Sequence, residues 1–271
     1  MKACFLLCFI VAMVASSRAA TNETTAPAAA AIAQQAGFDQ KLGAAIPLDG
    51  VFRGENNEPL TLGYLLGETK RPAVLVLGYK ECPMLCSQVL GALTETLTAL
   101  RLSTGKDFDL IDVSIDPHQS PADAAAQKRL YFKRYARAGA DAGWHFLTSP
   151  DEPTIRRFAD AVGFRYAYDP VTKQYAHPAG VVVLTPDGHV SQYLFGVNFD
   201  AQALNSALTA AGTQKIGSPI EQLLLLCFHF NPISGKYGAL IIGVLRAAGV
   251  LTLLGIGGLL FYLIRQPVRH A

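Results

Sequence analysis

The chain is 271 residues long, 51% hydrophobic and 16% charged, with a formal net charge of +2. No basic cluster, aromatic-basic interleaving or glycine-rich phosphate loop stands out along it, which excludes nucleic acid as a partner. With the strongly apolar ends set aside, about 190 residues remain, enough for one domain with a real core.

Lys2, the apolar run Ala3 to Ala15 and the small-residue exit Ser16-Ser17-Arg18-Ala19-Ala20 have the layout of a secretory signal. That run is too short to span a bilayer. Residues 1–20 are therefore read as a signal peptide, with an uncleaved N-terminal anchor as the rival. Cys4 and Cys8 fall inside it, so the mature chain keeps Cys82, Cys86 and Cys227. Residues 21–36, rich in Ala and Thr, read as a flexible lead-in, and the domain proper is expected over 37–214.

Ala73 to Tyr79 is an apolar, partly β-branched run and predicts a buried strand. It leads into Cys82-Pro83-Met84-Leu85-Cys86, two thiols four residues apart where a strand hands over to a helix. Residues i and i+4 share one helix face, so the pair can converge on one metal ion or close on each other. A helix N-terminus favours thiolate over thiol, the form that binds metal or attacks a disulfide. The opposing reading is two buried cysteines packing as small hydrophobes.

Ser87 to Leu102 then reads as a helix and Asp109 to Ile115 as a second strand, completing a βαβ unit. Pro121 to Ala138 predicts a helix, Trp144 to Leu147 a short strand, and Pro153 to Val162 a helix opened by Asp151. Four strand-like runs follow: Phe164 to Tyr168, Lys173 to His177, Gly180 to Leu184 and Val190 to Phe195, with Asp187-Gly188 marking a hairpin turn. A last helix runs from about Asp200 to Ala211. A parallel βαβ start, an antiparallel hairpin and a closing helix give the element order of a thioredoxin-like α/β domain, with the cysteine pair at the C-terminal end of its strand, where open α/β sheets place their sites.

Residues 215–237 form a juxtamembrane segment containing Cys227-Phe228-His229. In an extended chain Cys227 and His229 point the same way and can make a second soft metal contact. The other readings are an aromatic belt at headgroup depth and a cysteine that pairs between two chains. From Gly238 to Ile264 the sequence is almost wholly apolar, and Ala247 to Ile264 carries no charge, which predicts a C-terminal transmembrane helix over 238–264. Arg246 can snorkel to the interface, and Arg265 and Arg269 favour a cytoplasmic tail, 265–271.

These blocks together resemble the Sco/SenC family, membrane-tethered thioredoxin-fold proteins that take part in assembling the copper centre of cytochrome c oxidase. Gly78-Tyr79-Lys80-Glu81-Cys82-Pro83-Met84-Leu85-Cys86 is similar to its Gly-Tyr-Thr-x-Cys-Pro-Asp-x-Cys-Pro block. Ser114-Ile115-Asp116-Pro117 is similar to its Ser-x-Asp-Pro block, and Leu184-Thr185-Pro186-Asp187-Gly188 to its late hairpin. The resemblance covers about Phe52 to Ala211 and implies a copper ion held by Cys82, Cys86 and His177; Asp116 resembles a family site residue, and Asp before Pro is equally a routine turn or cap. It departs at Met84, where the family has Asp, and at Ser87, where it has Pro. Losing the carboxylate removes a like charge that opposes thiolate formation, while Met84 either packs or contributes a thioether.

Two thiolates and one imidazole are a soft, low-coordinate set suited to Cu(I), whereas structural zinc normally takes four protein ligands. Of the other histidines, His118 follows Asp116-Pro117, while His145 and His189 read as strand and turn residues. The expected function is a copper-delivery protein on a bacterial inner membrane, its domain on the periplasmic side. Its expected partners are the oxidase copper-centre subunit, a thiol reductant and membrane lipid. A thiol-disulfide oxidoreductase using Cys82 and Cys86 as its redox pair is the alternative, and a peroxiredoxin-type peroxidase a more distant one.

Overall fold

The computed structural model describes residues 31–32, 34–80, 85–217, 246, 249–250 and 252–257, with the side chains of positions 85 and 86 excepted. The strands are β1 (Gly37–Phe38), β2 (Val51–Arg53), β3 (Pro59–Thr61), β4 (Ala73–Gly78), β5 (Asp109–Ser114), β6 (Trp144–Leu147), β7 (Phe164–Arg165), β8 (Ala167–Asp169), β9 (Gln174–Ala176), β10 (Gly180–Leu184) and β11 (Val190–Phe195). The helices are α1 (Leu62–Thr69), α2 (Leu85–Ala99), α3 (Pro121–Tyr135), α4 (Glu152–Ala161) and α5 (Ala201–Gly212).

Five strands form the central sheet in the order β11-β10-β4-β5-β6. β4, β5 and β6 run parallel, Val76 pairing with Asp112 and Asp112 with Phe146, while β10 lies antiparallel to both β4 and β11. Every residue of β4 and β5 is buried, as expected of strands covered on both faces. Alternation splits their side chains between two cores. Leu75, Leu77, Ile111 and Val113 face α1 and α4, whereas Val74, Val76 and Leu110 face α2, α3 and α5. Each of these large side chains contributes about 1.5–3 kcal/mol by leaving water. The result is the expected thioredoxin-like α/β fold.

Local chemistry sets the helix ends. Ser120 caps α3 in a reciprocal capping box with Asp123, Pro121 occupies its first turn, and Ala136 closes it in the left-handed conformation at φ 51°, short of the predicted end at Ala138. Asp151 and Asp200 cap α4 and α5 by accepting from the Thr154 and Ala203 amides. α2 ends at Ala99, before the predicted Leu102.

Several expectations change. The single strand over Phe164 to Tyr168 is two, because β7 pairs with β1 and β8 pairs with β9, so the chain changes partner at Tyr166. Lys173 and His177 flank β9 and lie outside it. Residues 31, 32, 34 and 35 of the expected flexible lead-in are helical. Elements β1, β2, β3 and α1 have no counterpart among the elements expected from sequence. Within the expected span 238–264, the described positions 246, 249, 250 and 252–257 are helical and exposed, and among the described residues no helix is long and apolar enough to cross a membrane. The remainder of that span, the signal 1–20, Cys227, His229 and the tail 265–271 lie outside the described residues.

Candidate metal centre

The cysteine motif occupies the connection between Gly78, the last residue of β4, and the first turn of α2. Cys82, Pro83 and Met84 lie outside the described residues, and Cys86 is the second residue of α2. Ser87, also in that first turn, is exposed.

His177 follows β9 and is 7% exposed. Its Nδ1 lies 3.0 Å from the Pro178 carbonyl, which only accepts, so Nδ1 carries the proton and the lone pair of the neutral ring sits on Nε2. The ring stacks on Phe164 at 6.0 Å and meets the Tyr79 ring edge-on at 5.9 Å. Tyr79 is itself held, its hydroxyl accepting from the Tyr175 amide at 3.2 Å and its ring packing against Tyr175 at 5.3 Å. The fold thus brings His177 against the residue three positions before Cys82. An imidazole whose Nδ1 is engaged by a carbonyl turns Nε2 to the other side of the ring, and this backbone-carbonyl support is a common one for metal-binding histidines.

Across the strand ends, an open cleft of about 640 Å³ is lined by Tyr79, Asp116, His118, Tyr168, Lys173 and Tyr175 among others. Asp116 makes a turn here: its carboxylate accepts from the His118 amide at 2.9 Å and meets His118 Nδ1 at 3.1 Å. His118 is otherwise solvent-facing, its side chain 88% exposed. His189 sits in the β10–β11 turn beside Asp187, and His145 lies on edge strand β6, its pKa lowered chiefly by burial. Among the described residues no group of three or more His, Cys, Asp and Glu side chains converges as a metal site.

Two residues that sequence reasoning did not single out, Gln119 and Asp123, meet Lys80 and Ser114 at the same place. Gln119 Oε1 accepts from the Lys80 amide at 2.8 Å and from Ser114 Oγ at 2.9 Å, and Lys80 Nζ is bound to the Asp123 carboxylate. That ammonium, followed by the Ser120 hydroxyl, holds the Asp123 pKa down at about 2. The only sequence signal for this cluster is the Ser120-x-x-Asp123 capping box, which fixes where α3 starts.

A pair of structures from Aquifex aeolicus VF5, candidate electron transfer and electron transport proteins, are each 23% identical to this chain. The first covers 65% of this chain and 96% of its own at a TM-score of 0.56, the second 65% and 100% at 0.53. At that identity they show a shared fold. The structure of Arabidopsis thaliana ScoI with copper bound is 15% identical, covers 64% of this chain and 99% of its own, and has a TM-score of 0.48. No curated protein matches in sequence. The SCO1/SenC family model matches residues 55–211, more than half of the chain and the whole span from the β2–β3 turn to α5. The chain belongs to the SCO1/SenC family.

Proposed function

We propose that this chain is a copper-binding assembly factor in which Cys82, Cys86 and His177 hold copper as cargo for the copper-centre subunit of cytochrome c oxidase. The observation that carries the proposal is the contact between His177 and Tyr79, with His177 Nδ1 committed to a carbonyl. Two thiolates and one imidazole give Cu(I) a soft site with few ligands, from which a recipient's own ligands can displace it one at a time. The segment 238–264 anchors the protein in a bacterial inner membrane, with the tail 265–271 in the cytoplasm and the domain on the periplasmic side. This topology is supported by the uncharged stretch Ala247 to Ile264 and the arginines that follow it. Alkaline extraction and protease protection of C-terminally tagged chain test it: the protein should stay with the membrane, the tag shielded while the domain is digested from outside.

The place of Cys86 in the first turn of α2 favours a second reading, since a helix N-terminus stabilises thiolate. Here the dithiol of Cys82 and Cys86 reduces a disulfide of the recipient through a mixed disulfide. The pair gives up two electrons and two protons, closes on itself, and leaves the recipient with two thiols.

Copper stoichiometry of the reduced full-length chain in detergent separates the readings, with Cys82→Ser, Cys86→Ser and His177→Ala measured beside the parent. One copper per chain, lost in all three variants, is the expected result. Normal binding by His177→Ala, with disulfide-reductase activity tracking the cysteines, would hand the lead to the redox reading.

A further inference from the structure

We infer that Gln119 is a positioning residue for the cysteine loop, the centre of a latch through which α3 fixes the backbone leading into Cys82. The inference rests on Cys82 and Cys86 carrying the chemistry proposed above.

Three consecutive residues at the end of β4 are tied to three different segments. The Gly78 carbonyl accepts from the Ile115 amide at 2.8 Å. Tyr79 is bound by β9 through the Tyr175 amide. Lys80, the last described residue before the cysteines, gives its amide to Gln119 and its ammonium to Asp123. Of these ties, the Gln119 bond is the one made by a side chain to the loop backbone nearest Cys82, so it sets the direction in which the chain leaves the sheet.

Gln119 is itself held on every side. Its amide donates to the Asp116 carbonyl at 3.1 Å, its Oε1 takes a second bond from Ser114 Oγ, and its Nε2 donates to Gln127 Oε1 at 2.8 Å, two turns into α3. Ser114 Oγ in turn accepts from the Asp116 amide at 3.2 Å. The Ser114-Ile115-Asp116-Pro117 block therefore has a mechanical role, in which Asp116 forms the turn, Ser114 orients the Gln119 amide, and Gln119 grips Lys80. The side chain is half-buried and its partners come from β5, the following turn and α3, so its rotamer is fixed by the fold rather than by solvent. The Lys80–Asp123 pair, with side chains 45% and 32% exposed, is an ion pair open to solvent and adds little to the grip.

Outer-sphere groups that orient metal ligands typically change affinity by about 10–100-fold when removed. Gln119→Leu removes the acceptor at similar size, and Gln119→Glu keeps an acceptor oxygen towards Lys80 while giving up the Nε2 donor to Gln127 and adding a negative charge. Two readouts follow on the full-length chain: Cu(I) affinity by competition with a chromophoric chelator, and the midpoint potential of the Cys82–Cys86 couple in thiol-disulfide buffers. Thermal unfolding is recorded alongside. Gln119→Leu is expected to weaken Cu(I) binding at least tenfold and to shift the dithiol equilibrium about tenfold, which is about 30 mV for a two-electron couple. Gln119→Glu should keep Cu(I) binding to within about threefold of the parent, in line with the outer-sphere range, while its added carboxylate moves the dithiol potential as a like charge near the thiolates. Parent-like values in Gln119→Leu, or equal losses of Cu(I) affinity in the two variants, would overturn the latch. A parent that keeps its redox couple but does not bind Cu(I) would instead overturn the copper reading, and the potential alone would then decide the latch.

Discussion

Asp112 offers a test of the core beneath the site that needs no metal. It sits in the middle of β5 between Val76 of β4 and Phe146 of β6, on the sheet face covered by α2, α3 and α5, and it is 4% exposed. Among the described residues no hydrogen bond or ion pair to its carboxyl is made, and burial pushes its pKa from 3.8 up to about 7. A carboxyl in such a place resists ionisation because the charged form loses its water without gaining a partner.

The stability consequence has a definite sign. Below about pH 4 the carboxyl is protonated in folded and unfolded chains alike, and it contributes no pH dependence. Between about pH 4 and 7 the unfolded chain is ionised while the folded chain keeps the proton, so stability falls by about 1.4 kcal/mol per pH unit. Above about pH 7 both states are ionised and the loss is complete, at about 4 kcal/mol in total. Asp112→Asn preserves size and polarity without the titration. Denaturant unfolding of parent and variant at pH 4.5, 5.5, 6.5 and 8 should give a difference that grows in favour of the variant by several kcal/mol toward pH 8. All other groups titrate equally in both proteins and cancel. A difference that stays flat within about 0.5 kcal/mol across that range, well inside the expected change, would refute the buried neutral carboxyl.

Two further perturbations probe how the sheet is framed. Gly163 has φ +64°, and a Cβ there would lie 1.8 Å from the Asp39 carbonyl oxygen, so Gly163→Ala should cost more than about 2 kcal/mol in denaturant unfolding, from left-handed strain plus displacement of β1; a loss under about 0.5 kcal/mol would show that the close approach is not maintained. Arg71 makes three hydrogen bonds to the Asp109 carboxylate, which is 2% exposed, so Arg71→Leu should cost about 3 kcal/mol by stranding a buried charge, and adding Asp109→Leu should recover part of that loss; an equal or larger loss in the double variant would point to packing instead.

What the sequence made legible follows the length and periodicity of each element. β4 and β10 are apolar runs of five or six residues, β5, β6 and β11 set apolar residues between polar ones over four to six, and α3 and α4 carry capping residues, so both kind and place could be read. β2 and β3 have three residues each, and β2 shows only exposed-buried-exposed, too short for a period to declare itself. The break at Tyr166 was hidden for another reason: nothing local says that Phe164 pairs with Phe38 while Ala167 pairs with Ala176. His177 stood out through the resemblance alone, and its carbonyl bond to Pro178 is a fact of tertiary structure. Gln119 gave no signal, because a loop amide whose partners lie 5, 8 and 39 residues away has no pattern to display.

The site is placed where the sheet's rigidity ends. β4 and β5 are locked by six consecutive paired positions ending at Gly78 and Ser114, with one more bond from the Ile115 amide to the Gly78 carbonyl. A motif that must admit a metal ion or a partner's sulfur cannot sit inside that ladder, where every residue is buried and the backbones are paired. It also cannot hang from a free loop if, as proposed, two thiols and an imidazole share one ion. The chain resolves this by pinning the loop's entrance one residue at a time, at Gly78 by β5, at Tyr79 by β9 and at Lys80 by the α3 approach. The β9 tie also brings in His177, since Tyr175 and His177 both pack on Tyr79. One aromatic ring therefore couples the third ligand candidate to the entrance of the cysteine loop. Loosening Tyr79 should disturb both together, whereas loosening Gln119 should disturb the cysteines alone.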